Sequence, residues 1–450
     1  MEYQVFVDKL FELGKKEGFS DMEVYFQEDK NFQATVFNQE VDKFSISEVA
    51  GLSFRGLSNG KMGYAYTEIL DDASIDMLVR EAKANAAAIE SEDKVDIAAP
   101  QTGYQTIDGY SQDLGLVSKA DKIEFLKKVE EEAKSLDDRV KSLSYNLFME
   151  TEGEIRIANT KGMNLSEKQN LGIAYINVLA VSGEENKTGH ALVLDRDFKA
   201  FDYKAVAKKA VEETVSQFGA KPVASKSYPV ILKNECAGDL LGAFSSVFNA
   251  ENVQKDLSLM KGKLAEAVAS DLVNLIDNPF MDGGYGNRSF DAEGTPAKRT
   301  NLIEKGVLTS FLHNNKTALK DGIESTGNAS KGSYKSSIGI SASNLYIEPT
   351  KTTFDELIDL EEAMVITSLQ GLHSGLNPIS GDFSLAANGF LVENGKISRA
   401  VDQITVAGNL KDLLLNIEGV GNDLEFSLPS GSAYVASPSL RIKSLAIAGE

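Results

Sequence analysis

Apolar residues in the opening segment recur at helical spacing. Val5, Phe6, Leu10 and Leu13 share one face, and Gly18 closes the predicted helix. The period then drops to two. Runs at 22–27, 32–37, 41–47, 49–57 and 62–67 predict strands, with Asn59-Gly60 as a hairpin turn between the last two. An alanine-rich helix over 74–89 buries Ile75, Leu78, Val79 and Ala82. The order is helix, meander, helix.

After a connector at 101–115 the order returns. A charged amphipathic helix over 119–136 carries Ile123, Phe125, Leu126 and Val129. Strands follow at 140–150, 154–158, 171–181 and 190–194, and then a helix at 203–218. This predicts a duplicated α/β region over 1–222, with pseudo-repeats 1–112 and 113–222. Residues 223–450 predict a mainly β, barrel-like C-terminal domain, giving an α+β chain overall. A short strand at 228–232 there leads into a helix over 235–248, and a hairpin is expected across 299–312. The acidic, glycine-rich stretch 277–294 and the small, polar stretch 326–343 predict loops, the second a mobile surface loop. Strands at 383–392, 397–401 and 403–407 turn through Asn394-Gly395. A helix over 410–417, capped by Asn409, is ended by Gly419 and Gly421.

Charge narrows the function classes. The chain has 46 basic and 67 acidic residues, a net charge of −21. Such a surface repels phosphate backbones, so nucleic acid is not an expected partner. No stretch reaches the ~20 apolar residues of a membrane span. Cys236 is the only cysteine and the amino-terminal segment reads as a helix, which places the expectation in the cytoplasm.

Few motifs carry chemistry. Gly56-Leu57-Ser58-Asn59-Gly60 fits G-x-S-x-G, but a strand follows where a nucleophile elbow needs a helix. Gly283-Gly284-Tyr285-Gly286 lacks the third glycine of a dinucleotide loop and reads as flexible. Cys236 opens a helix beside Glu235, which opposes a thiolate, so it reads as structural. His190, His313 and His373 are the only histidines, and none has another at metal-ligand spacing. His190 and His313 read as surface or packing residues; His373, in a loop, is the best candidate of the three.

The run SGDFSLAANGFLVENGKI, then ITVAGNLKDLLLNI and VGND, together with AEGTPAKRTNLIEKGVLTSFL upstream, resembles the C-terminal half of the TldD/TldE family. The resemblance is closest to the TldE branch, also called PmbA. In the TldD branch the helix after the short strand carries an H-E-x-x-x-H motif that holds a catalytic zinc, with a cysteine near the C-terminus as a further ligand. The matching positions here are Gly242 and Ala243, then Val247, with Ser430 at or next to the cysteine position. Gly, Ala and Val would let this helix pack tightly, and none can hold a metal. The resemblance therefore implies a chain with no catalytic residue and no cofactor of its own. It would be the non-catalytic subunit of a heterodimeric zinc metallopeptidase acting on unfolded or leader-type peptides. The zinc would sit in a TldD-like partner, and a homodimer is possible when the chain is alone. The family's association with DNA gyrase fits poorly, as a direct DNA activity, with so acidic a surface. Two other readings stay open. One is a stand-alone hydrolase whose carboxylates, such as Asp282, Asp291, Glu293 or Asp382, hold an oxygen-ligated metal. The other is a peptide- or protein-binding module with no enzymatic partner.

Overall fold

A computed structural model describes residues 1–90, 93–429 and 433–450. Alternating residues in the first half build one antiparallel sheet. Its elements are α1 (Tyr3–Lys16), β1 (Asp21–Phe37), β2 (Glu40–Ser58), β3 (Lys61–Thr67), α2 (Asp72–Ala87), α3 (Gln112–Leu116), α4 (Lys119–Leu136), β4 (Val140–Asn159), β5 (Asn164–Ser182), β6 (Glu185–Asp195) and α5 (Tyr203–Val215). The strand order is β3-β2-β1-β4-β5-β6, so two three-stranded meanders join through β1 and β4. The strands expected at 22–27 and 32–37 are one strand, as are the pairs at 41–47 and 49–57 and at 140–150 and 154–158. Polar residues interrupt the hydrophobic pattern there, but they pair across strands. Lys30 stands opposite Glu48 on β2 and Glu152 on β4, so the backbone ladder continues through a stretch with no core.

Period two also sets what covers each face. On β1, Met22 and Val24 face α1 and α2, while Phe32, Ala34 and Val36 face α4 and α5. Tyr25 points the other way and packs with Ile157 of β4 against Phe290 and Tyr334 of the C-terminal half. The sheet is thus a middle layer between these helices and the C-terminal half, except for the exposed stretch Glu40–Val49 of β2.

The C-terminal half runs β7 (Lys226–Leu232), α6 (Asn234–Phe244), α7 (Ala250–Gln254), β8 (Leu275–Asp277), β9 (Thr300–Glu304), β10 (Val307–Leu308), α8 (Asn315–Asp321), β11 (Ala329–Ser330), β12 (Gly339–Ile340), β13 (Asn344–Ile347), α9 (Phe354–Leu357), β14 (Glu362–Gln370), β15 (Asp382–Glu393), β16 (Lys396–Asn409), α10 (Leu410–Leu415), β17 (Ile417–Val420), β18 (Glu425–Phe426), β19 (Tyr434–Ser437) and β20 (Leu440–Ala448). Strands β16-β15-β14-β7-β20 close into a five-stranded barrel because β16 also pairs with β20. A second sheet, β10-β9-β8-β13-β19-β18, lies beside it, and one large core runs through both. The hairpin turn at Asn394-Gly395 takes the positive φ its residues allow, 52° and 73°. Strands 397–401 and 403–407 are one strand with Gln403 at φ 54°, and α10 ends at Leu415 because Gly419 already belongs to β17. Among the described residues no helix is long and apolar enough to cross a membrane.

The two expected loops are packed. Asn328 is buried and donates Nδ2–H to Asp277 at 2.6 Å, and the Ser343 N–H bonds the same carboxylate at 2.7 Å. Tyr334 lies flat enough on β2 that a Cβ on Gly51 would sit 2.3 Å from its ring. Gly284 and Tyr285 accept hydrogen bonds from Arg196 of the N-terminal sheet at 3.2 and 2.9 Å. Both segments are small and polar because they thread between two bodies of the protein, a context their own residues do not reveal.

Candidate functional site

β7 delivers the chain to α6 at the barrel wall. Glu235 stands in the first turn, where a negative charge suits the helix dipole. Cys236, Ala237, Leu240, Leu241 and Phe244 form the buried stripe. Gly242 and Ala243 lie on the other side and line a cleft. The α-helix stops earlier than the expected 248: from Ser245 to Phe248 it tightens into a 3-10 turn, with the Ser245 hydroxyl donating to Gly242 O at 2.7 Å. Val247 sits in that turn, fully buried. Gly242 is not required by close packing, since a Cβ there would meet only Val435 at 3.6 Å. Ser430 lies outside the described residues.

The cleft consists of two adjoining cavities of about 480 and 520 Å³, which share Asp239, Leu372, Ser427 and Leu428. Exposed His373 lines the second, on the loop after β14. The first is walled by charge from both halves of the chain. His190 of β6 approaches Glu235 at 3.3 Å and Glu213 at 3.5 Å, and Lys209 bonds Glu235 at 2.6 Å. Burial alone would raise the Glu235 pKa, but the hydrogen bond from His190 and the charge of Lys209 outweigh it and hold the carboxyl down to about 2. The bond to Glu235 in turn raises the His190 pKa against its burial. Asp239, one turn along α6, is pushed up to about 6 by burial and by the Glu235 charge. His190 is therefore part of an ionic network across the cleft, not an ordinary surface or packing residue. Its partners come from segments far away in sequence, so no local signal pointed to the network.

The remaining candidates are scattered. Cys236 is buried, and burial together with Asp239 and Glu235 pushes its thiol well up, which makes it inert. His313 is buried too, with Nδ1 unpartnered among the described residues, and burial lowers its pKa. Asp291 accepts backbone N–H bonds from Glu293, Thr295 and Ala329 at 2.9 to 3.0 Å. Glu293 is held by Arg55 at 3.1 Å and by the Asn315 N–H at 2.8 Å. Asp282 is exposed, and Asp382 is bonded by Asn409 at 2.8 Å on the surface. Asp291 and Glu293 are buried neighbours whose charges interact, while Asp282 and Asp382 are exposed and separate from them. Among the described residues no three His, Cys, Asp or Glu gather where they could hold a metal. Positions 242, 243 and 247 cannot hold a zinc ion, since Gly, Ala and Val have no ligating side-chain atoms. Ser58 sits at the β2–β3 hairpin, where Asn59 and Gly60 take φ of 51° and 74°. One half-buried group had no sequence signal: Lys331, which donates to the Ser53 hydroxyl at 2.7 Å over the Tyr25 and Tyr64 rings.

A helix-lined sheet thus packs on a closed barrel, and the cleft lies on the helix that follows the first barrel strand. The chain belongs to the PmbA/TldA metallopeptidase family, whose domain 1, central domain and C-terminal domain models match residues 22–86, 112–218 and 225–449. A crystal structure from Thermotoga maritima, described as that of a candidate modulator of a DNA gyrase, superposes with a TM-score of 0.91 at 32% identity, covering 99% of this chain and 100% of that one. An uncharacterised protein of Methanocaldococcus jannaschii is 30% identical over 397 residues, 87% of this chain and 89% of its own. TldE from Thermococcus kodakarensis shares the fold, with a TM-score of 0.89 at 22% identity over 99% of this chain and 100% of that one.

Proposed function

We propose that this chain is the non-catalytic, TldE/PmbA-like subunit of a two-chain zinc peptidase that acts on unfolded or leader-type peptides in the cytoplasm. The observation that carries the reading is the cleft on α6. It offers about 480 and 520 Å³ of space, while Gly242 and Ala243 line it and Val247 is buried in a 3-10 turn. A helix without the motif ligands can shape a channel and exclude water, tasks separate from activating a water molecule on zinc. The carboxylates of Glu213, Glu235 and Asp239 along the first cavity favour basic or neutral peptides. In this reading the zinc belongs to a TldD-like partner.

Purification of the chain from its own organism by an antibody, followed by metal analysis, tests this. The expected result is a zinc-bearing relative that comes down with it and keeps the zinc when the two are separated. Near one zinc per molecule of the isolated chain, lost in His373→Ala, would overturn the reading.

A further inference from the structure

The charges around the first cavity of the cleft almost cancel. Both ring nitrogens of His190 face carboxylates, Nε2 towards Glu235 at 3.3 Å and Nδ1 towards Glu213 at 3.5 Å. An imidazole donates from both nitrogens only when it is protonated, so His190 stands there as a cation. Lys209 adds the second positive charge, 2.6 Å from Glu235. The His190 backbone N–H also donates to Glu213, at 3.0 Å. Two cations thus answer two carboxylates, and each of the four has a partner within the wall.

Asp239 is the carboxylate left over. It is half-buried and lines the cavity from the next turn of α6. The Ser427 hydroxyl is its hydrogen-bonding neighbour, and among the described residues no Lys, Arg or His comes within ion-pair distance of it. Glu425, which the charge of Lys209 also reaches, does not line this cavity. Withdrawing a charge from water without pairing it is costly, so a carboxylate kept in this state at a cavity wall is matched to a cation from outside.

The rest of the lining selects the kind of cation. Leu369, Leu372 and Leu428 give the same cavity an apolar wall. Gln370 of β14 and Asn388 of β15 bring side-chain amides that make no hydrogen bond among the described residues. Lysine and arginine lay a methylene stem on apolar surface and keep the charged head at polar groups, which is what this wall offers. A bare metal ion does not suit it, since no three His, Cys, Asp or Glu gather there among the described residues. Asp239 also lines the second cavity, where the cleft continues past Gly242 to His373. A chain therefore has room to run on from a side chain that turns in at Asp239, whereas a free amine would leave the second cavity empty.

We propose that Asp239 is the specificity-determining residue of a pocket for one lysine or arginine side chain of an unfolded peptide lying along the cleft. The peptide rests on the subunit reading, which this deepens; the unmatched charge does not.

The probes are the fluorescein-labelled peptide Gly-Ser-Ala-Lys-Ala-Ser-Gly and its twins with norleucine or Glu in place of Lys. Their binding to the purified chain is followed by fluorescence anisotropy at pH ~7.5, where Asp239 is ionised. The Lys peptide should bind at least about tenfold tighter than the norleucine peptide, and the Glu peptide weakest of the three. Asp239→Asn, which keeps the shape and removes the charge, should abolish that preference while norleucine binding stays within about twofold. Glu212→Gln, an exposed change on α5, should keep the preference. Equal binding of the Lys and norleucine peptides, or a preference that survives Asp239→Asn, would overturn the proposal. So would n-butylammonium that displaces the Lys peptide at the peptide's own concentration, because the pocket would then belong to a free amine. Cleavage by a zinc-bearing relative separates the two claims. A relative that cleaves as well without the chain ends the subunit reading and leaves the Asp239-dependent binding in place. A relative that needs the chain, but cleaves the Lys and norleucine peptides in the same ratio with the unaltered and Asp239→Asn forms, ends the pocket and leaves the subunit reading.

Discussion

Gly242 and Val247, the two positions that the resemblance sets against the motif histidines, differ physically. At Gly242 there is room for a Cβ, whereas Val247 is sealed in a 3-10 turn. Gly242→Ala should therefore raise stability by about 0.5–1 kcal/mol, the usual gain inside a helix, in a urea titration. A loss instead would show that the helix needs the glycine for packing. Gly242→His, Ala243→Glu and Val247→His together should lower stability by about 2–4 kcal/mol, since a polar ring replaces a buried valine, and should yield no zinc-dependent turnover.

Asp239 gives a pH signature. Its folded pKa is raised from 3.8 to about 6, so the folded state holds the proton longer than the unfolded one, and stability falls as pH rises between those values. Asp239→Asn should change little at pH values near 3 and stabilise by about 1–2 kcal/mol above pH ~7, as read by thermal melts across pH. A gain that is the same at every pH would contradict the assignment. The sequence made Cys236 legible as structural, because its acidic neighbour lies beside it. It could not show that His190 meets Glu213 and Glu235, since three separate elements bring them together.

At the scale of elements, alternation and turn residues located most strands and both Asn-Gly hairpins. They did not show that β1, β2 and β4 run on through polar stretches, because cross-strand charge pairs replace core contacts there. Nor did they show that 326–343 is fixed. Its anchors, Gly51 and Asp277, are distant, and a small polar composition reads locally as a loop. The Gly51–Tyr334 contact tests this docking. Gly51→Ala should cost about 1–3 kcal/mol by overpacking, and most of that cost should vanish in a Tyr334→Ala background. Full additivity in denaturant titrations would mean that the two do not touch.

For the whole molecule, the most legible stretch was the one that forms β15, the Asn394-Gly395 turn, β16 and α10. It lies within the C-terminal domain that the family model matches. The cleft itself was not legible, because its walls come from β6, α5, α6 and the loop after β14, and no short motif spans them. The central claim is that this chain is needed for peptide cleavage while contributing none of the bond-breaking groups. The most direct measurement titrates it into a fixed amount of a zinc-bearing relative from the same organism, with an unfolded peptide as substrate. Cleavage should rise with added chain and saturate at a fixed ratio, with Cys236→Ala and His373→Ala behaving like the unaltered chain. Full activity of the relative alone, unchanged at any ratio, would contradict it.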